Sequence, residues 1–195
     1  MTLYKLTTED FYTTNSTLWG QGATHAVVDR VTNPQLCSRG VIHAHRNSTL
    51  ALLLNPIHAG IDNPVLWEAE GTIVAEDWGK VGCYSLTTTK KLVLPEWYRD
   101  ESIRARVSVL FATLCVESIL GCEEEKYPDD DGPRNVLEAA VGRLKGATPS
   151  APAWLVWTVA ARSAWVGDPI DFAKLADKAV RTIMAGVTLK DGGKG

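Results

Sequence analysis

The chain has 195 residues, a formal net charge of −3, 45% apolar residues and 22% charged ones. That length and balance suit a globular protein with a buried core. The near-neutral charge excludes broad electrostatic binding to nucleic acid or an anionic membrane.

No apolar run is long enough to cross a bilayer, since Arg162 and Asp168 bracket the most tryptophan-rich stretch. The start, MTLYKLTTED, has no basic segment followed by an apolar one, so no secretory signal is expected. Cys37, Cys83, Cys115 and Cys122 are scattered, without C-x-x-C spacing. Reduced thiols and a cytoplasmic location are the corresponding expectation.

In chain order, TLYKL reads as a short strand and THAVVD (Thr24 to Asp29) as a second. GVIHAH follows, a strand with His43 and His45 on one face and Ile42 and Ala44 on the other. NSTLALLLNPIHAG predicts a short helix, capped by Asn47 or Ser48 and ended at Asn55-Pro56. VLWEAEGTI (Val65 to Ile73) is a strand that points Trp67, Ala69 and Gly71 one way and Leu66, Glu68 and Glu70 the other. EDWGK is a turn, and KVGCYSLTTTKKLVLP supplies one long or two short strands.

From Glu101 the apolar period becomes helical: Ile103, Val107, Leu110, Phe111 and Leu114 recur on one side. Asp100 is the expected cap and Gly121 the expected terminator. Further helices are predicted from Pro133 to about Lys145, across APAWLVWTVAARSAWVG, and from Asp168 through FAKLADKAV. Strands followed by helices predict an α+β protein. The N-terminal part (1–98) would be a mostly antiparallel sheet with one short helix. The C-terminal part (99–190) would be a bundle of about four helices, with an acidic flexible loop at 122–133 and a disordered tail at 191–195.

Two constellations carry potential chemistry. Cys37, His43, His45 and His58 fall close together, but the predicted helix separates His58 from His43, so no metal site is expected. No cysteine or serine sits in a recognisable nucleophile motif. Glu68 and Glu70 share a strand face, an arrangement open to acid–base work if buried and to simple solvation if not. No Walker or G-x-G-x-x-G pattern points to a nucleotide cofactor. The seven tryptophans are read mainly as core filling, with exposed ones as contact features.

The segment LCSRGVIHAH, then LWEAEGTI, then KVGCYSLTTTKKLVLPE resembles a family of small bacteriophage and prophage proteins. The matching positions are Cys37, Gly40, His43, Ala44, Glu68 or Glu70, Gly71, Lys80, Cys83, Leu94 and Glu96. GVIHA carries one residue more than that family's Gly-Leu-His-Ala, and the likeness spans about Leu36 to Glu96. The resemblance carries no established activity over to this chain, and it implies that His43 holds its strand by hydrogen bonding. A looser likeness links the early strand, helix and LWEAEG order to ADP-ribosyltransferase folds. Here Tyr4 or Lys5 stands where a nucleotide-holding residue would, and the Glu68/Glu70 pair precedes YSLTTT instead of following it.

Together these readings predict a cytoplasmic phage accessory protein, without a cofactor, that binds and modulates a host protein. The acidic residues Glu123, Glu124, Glu125, Asp129, Asp130 and Asp131 are the candidate contact. The alternatives are an ADP-ribosyltransferase-like enzyme or nucleotide-binding module using His43, Glu68 and Glu70, or a structural virion component.

Overall fold

The computed structural model describes residues 1–13, 16–126, 155–156, 158–160 and 170–191, with 121–126 and 187–191 described as backbone. The protein is mixed α+β, built on an antiparallel sheet and helices. It divides into two compact units, Met1–Pro95 and Glu96–Gly195.

The first unit holds β1 (Leu3–Thr7), β2 (Tyr12–Thr13), β3 (Thr17–Leu18), β4 (Thr24–Ala26), β5 (Ile42–Ala44), α1 (Ser48–His58), β6 (Val65–Glu76) and β7 (Val81–Leu92). β6 and β7 form a long hairpin, β1 pairs with the free side of β6, and β4 and β5 both pair with β7, all antiparallel. The two edges then meet. Tyr4 and His45 exchange both backbone hydrogen bonds at 2.8 Å, so β1, β6, β7 and β5 make a closed circuit of strands.

The circuit explains the alternation. Leu3, Ala44, Ala69, Val81, Cys83 and Leu86 turn inward from all four strands and pack with Trp19. Three register shifts in the β6–β7 ladder give the long hairpin the extra twist that lets it curl. Gly71 is needed at one of them, because a Cβ there would stand 2.6 Å from the Ser85 carbonyl oxygen.

α1 begins where the sequence places it: Asn47 Oδ1 accepts the Leu50 N–H at 2.7 Å. It does not stop at Asn55 but runs through Pro56 to His58. The proline removes one N–H from the ladder. Asn55 makes up the deficit, its carbonyl accepting from Ala59 and Gly60 and its side chain bonding both backbone groups of Ile61. Gly60 takes the left-handed conformation (φ 60°) that closes the helix.

The second unit holds α2 (Glu96–Arg99), α3 (Glu101–Lys126) and α4 (Phe172–Asp191). Asp100 caps α3 as expected, accepting the Ile103 N–H at 2.9 Å. Val107, Phe111, Cys115 and Ile119 form its buried stripe. The helix passes through Gly121, where a stop was expected, and carries Glu123, Glu124 and Glu125 on its last turns. A helical glycine costs only about 1 kcal/mol, and Glu and Lys are good helix formers. α4 packs against α3, and its Phe172, Ala176 and Ala179 are buried. Its cap is Asp171, which accepts the Lys174 N–H at 3.0 Å. The expected helix from Pro133, the tryptophans Trp154, Trp157 and Trp165, the cap Asp168, Asp129 to Asp131 and the tail beyond Asp191 lie outside the described residues.

Candidate functional site

The hairpin turn between β6 and β7 gathers the chemistry-bearing side chains of the first unit. Asp77 Oδ1 accepts the N–H groups of Gly79 and Lys80, both at 2.8 Å, which fixes a tight turn. His45 follows β5 and bonds the Gly79 carbonyl oxygen through Nδ1 at 2.6 Å. Since a carbonyl only accepts, Nδ1 carries the proton. The end of α1 closes over the same turn: a Cβ on Gly79 would stand 3.0 Å from both Leu54 and His58. The His45 and His58 rings stack at 5.7 Å, and His58 Nδ1 is buried without a hydrogen-bond partner among the described residues.

His43 lies one residue pair away, opposite Gly82 on β7. Its Nε2 accepts the backbone N–H of Cys37 at 3.0 Å, so its proton sits on Nδ1. That bond ties the loop before β5 to the strand. Within the loop, Ser38 Oγ donates to the Gln35 carbonyl and accepts from Gly40 N–H, and Cys37 is held at φ 63°. Lys80 Nζ reaches across from the turn to Cys37 Sγ at 2.8 Å. From the interior of the circuit, Lys5 donates to the His43 carbonyl at 2.8 Å and lies 5.1 Å from the Trp19 ring centroid.

The electrostatics follow from burial beside cations. Burial, then the Lys80 and Lys5 charges, lower the His43 pKa to about 4. Burial dominates at His45 and takes it to about 3, against the opposing bond from Gly79. His58 falls to about 4 through burial, with Lys80 and His43 adding to it. Burial also lowers Lys5 to about 8. The three histidines are therefore neutral at physiological pH. The thiols of Cys83 and Cys115 are pushed up by burial and are inert. Cys37 is the exposed thiol among the described residues. The His43 Nε2 lone pair is occupied by the Cys37 N–H, so it is not aimed at Sγ as a general base.

The acid candidates lie elsewhere. Glu70 is opposite Thr87 on β7 and Glu68 opposite Lys90, whereas His43 is opposite Gly82. Gly82 and Thr87 are five positions apart (87 − 82), roughly 17 Å along a strand. Glu70 is exposed and Glu68 half-buried, on the side of β6 away from the core. The strand ladder therefore does not bring His43, Glu68 and Glu70 together. Among the described residues, no group of three or more His, Cys, Asp or Glu is placed to hold a metal ion. No described helix is long and apolar enough to cross a membrane.

A second feature lies beside β4, the end strand of the sheet. A pocket of about 550 Å³ opens there, lined by Thr17, Trp19, residues 25–29, Val31, Arg39, Gly40 and Ile42. Trp19 forms its floor, 3% exposed, with His25 edge-on at 4.6 Å and bonded to the Leu18 carbonyl at 2.7 Å. The lining mixes apolar and polar side chains and opens to water: Val28 is 93% exposed and Val31 46%, beside Asp29 and Arg39. No protein-family model, curated protein or solved structure matches this chain.

The sequence singles out Cys37, His43, His45 and His58, but neither the β4 pocket nor the place of Lys80 and Lys5 beside these residues is visible in it. Lys80 had one signal, its place in the Lys-Val-x-Cys match. Lys5 stands out only at the position of a nucleotide clamp. Among the described residues, Trp19, Trp67 and Trp97 are buried and Trp78 is half-buried, so none of these four is the exposed contact expected. Trp67 and Trp19 each satisfy the ring N–H internally, on Thr7 and Thr13 at 3.0 Å, which permits full burial.

Proposed function

We propose that the protein is a recognition module that binds a host protein in the cytoplasm of a phage-infected cell, without catalysis, through the pocket beside β4. The observation that carries this reading is a pocket whose lining sets the exposed side chains of Val28 and Val31 beside the buried ring of Trp19. Exposed aliphatic side chains around a preformed hollow are what an interface anchor needs. β4 is also a short end strand, so an extended segment of the partner can pair along it and seat a side chain in the pocket. The likeness to phage proteins supplies the setting. The enzyme alternative needs His43, Glu68 and Glu70 in one place, and the ladder spacing gives it no support. The acidic residues on the last turns of α3 are a separate candidate contact within the same reading.

The test is capture from host lysate on immobilised protein, wild type against Val28→Asp. The exposed position of Val28 makes the substitution neutral for folding. We expect a partner held by the wild type and reduced at least tenfold by Val28→Asp, since a buried unpaired carboxylate costs well over 1.4 kcal/mol. Equal recovery by both proteins would sink the pocket reading.

A further inference from the structure

We propose that Cys37 and Lys80 form a peroxide-triggered covalent switch, an S–N bridge between the loop before β5 and the β6–β7 turn. The site is a pair of reactive groups on separate segments. Cys37 is exposed, and Lys80 Nζ stands 2.8 Å from its sulfur. The thiolate is the form of a cysteine that reacts with peroxide. The Lys80 nitrogen, once deprotonated, is the nearest nucleophile to the oxidised sulfur. His43 holds the reacting residue in place through the Cys37 backbone N–H. Each of the other two cysteines with described side chains is buried and has its thiol pKa raised by burial, so neither competes for peroxide or for the sulfenic acid.

The chemistry balances with one hydrogen peroxide. The Cys37 thiolate attacks a peroxide oxygen, the O–O bond breaks, and hydroxide leaves as water after taking a proton. Sulfur is oxidised by two electrons to the sulfenic acid and the peroxide is reduced. The Lys80 ammonium loses a proton to solvent, and its lone pair attacks sulfur. The S–O bond breaks, a second water departs, and the S–N bond forms. The net change is loss of two hydrogens from the protein, and a thiol reductant restores both side chains. Arg39 and Gly40 of the same loop line the pocket beside β4. The bridge therefore fixes one wall of that pocket, a consequence that rests on the binding reading above; the bridge itself does not.

The experiment treats the full-length protein with stoichiometric hydrogen peroxide and reads intact mass and peptide maps. The expected product is about 2 Da lighter, with Cys37 and Lys80 in one cross-linked peptide pair, and reverts with dithiothreitol. Lys80→Arg keeps the cation but has no amine to condense, and Lys80→Gln removes both. Each should lose the bridge and accumulate oxygen adducts on Cys37 while keeping the wild-type circular dichroism spectrum. Oxygen added to Cys37 in the wild type, with the Lys80 peptide unlinked, would overturn the proposal. Because the readout is mass, it stands or falls without reference to any binding partner.

Discussion

His45 is the residue on which the first unit most visibly depends. It joins β5 to β1 through its backbone and to the hairpin turn through its ring. Its folded-state pKa of about 3 lies below the ordinary value of 6.5. The unfolded chain therefore binds more protons between those values. Stability is fully present above pH 6.5 and falls as the pH drops from 6.5 towards 3. Each pH unit in that window costs about 1.4 kcal/mol for a histidine kept neutral by folding. Urea midpoints should decline between pH 7 and 5, before most carboxylates titrate. His45→Gln, which retains a donor for the Gly79 carbonyl, should shallow that slope. An unchanged slope in the variant would show that His45 is not the group responsible. Among these residues, the sequence made Cys37, His43 and His45 visible as a cluster. It could not show Lys80 or His58 joining them, because that meeting depends on where a long hairpin turns and how far α1 runs.

At the scale of elements, local signals were legible where one residue decides the outcome. Asn47 and Asp100 cap their helices as read, and β1, β6 and the EDWGK turn stand where alternation put them. The misread stops have a common cause. Pro56 and Gly121 are punctuation only when nothing offsets them; the Asn55 bonds and the helix-favouring residues after Gly121 do so here. The closure of β5 onto β1 was not legible, because two long-range backbone bonds make it. The curl of the hairpin gives a sharp prediction. Gly71→Ala drives a Cβ to 2.6 Å from the Ser85 carbonyl and should destabilise by about 1–3 kcal/mol. Gly20→Ala meets nothing within 4 Å and should change stability by less than about 1 kcal/mol in either direction. Chemical denaturation of the two variants reads the difference directly. Equal effects would contradict a hairpin bent at Gly71.

For the whole molecule, the division at Pro95 leaves each unit with its own buried side chains. The strand circuit of the first unit closes entirely within residues 1–95. A fragment ending at Pro95 should therefore fold alone, with dispersed amide resonances and a single cooperative urea transition. Collapsed resonances would mean that the circuit needs the helices. In the proposed reading, function at this scale lies at the pocket beside β4. The most direct test is hydrogen exchange on the intact protein, free and with the partner captured from lysate. Slowed exchange is expected at residues 24–28, with the face carrying Glu68 and Glu70 unchanged. Protection confined to other segments, with 24–28 exchanging at the free rate, would contradict that reading.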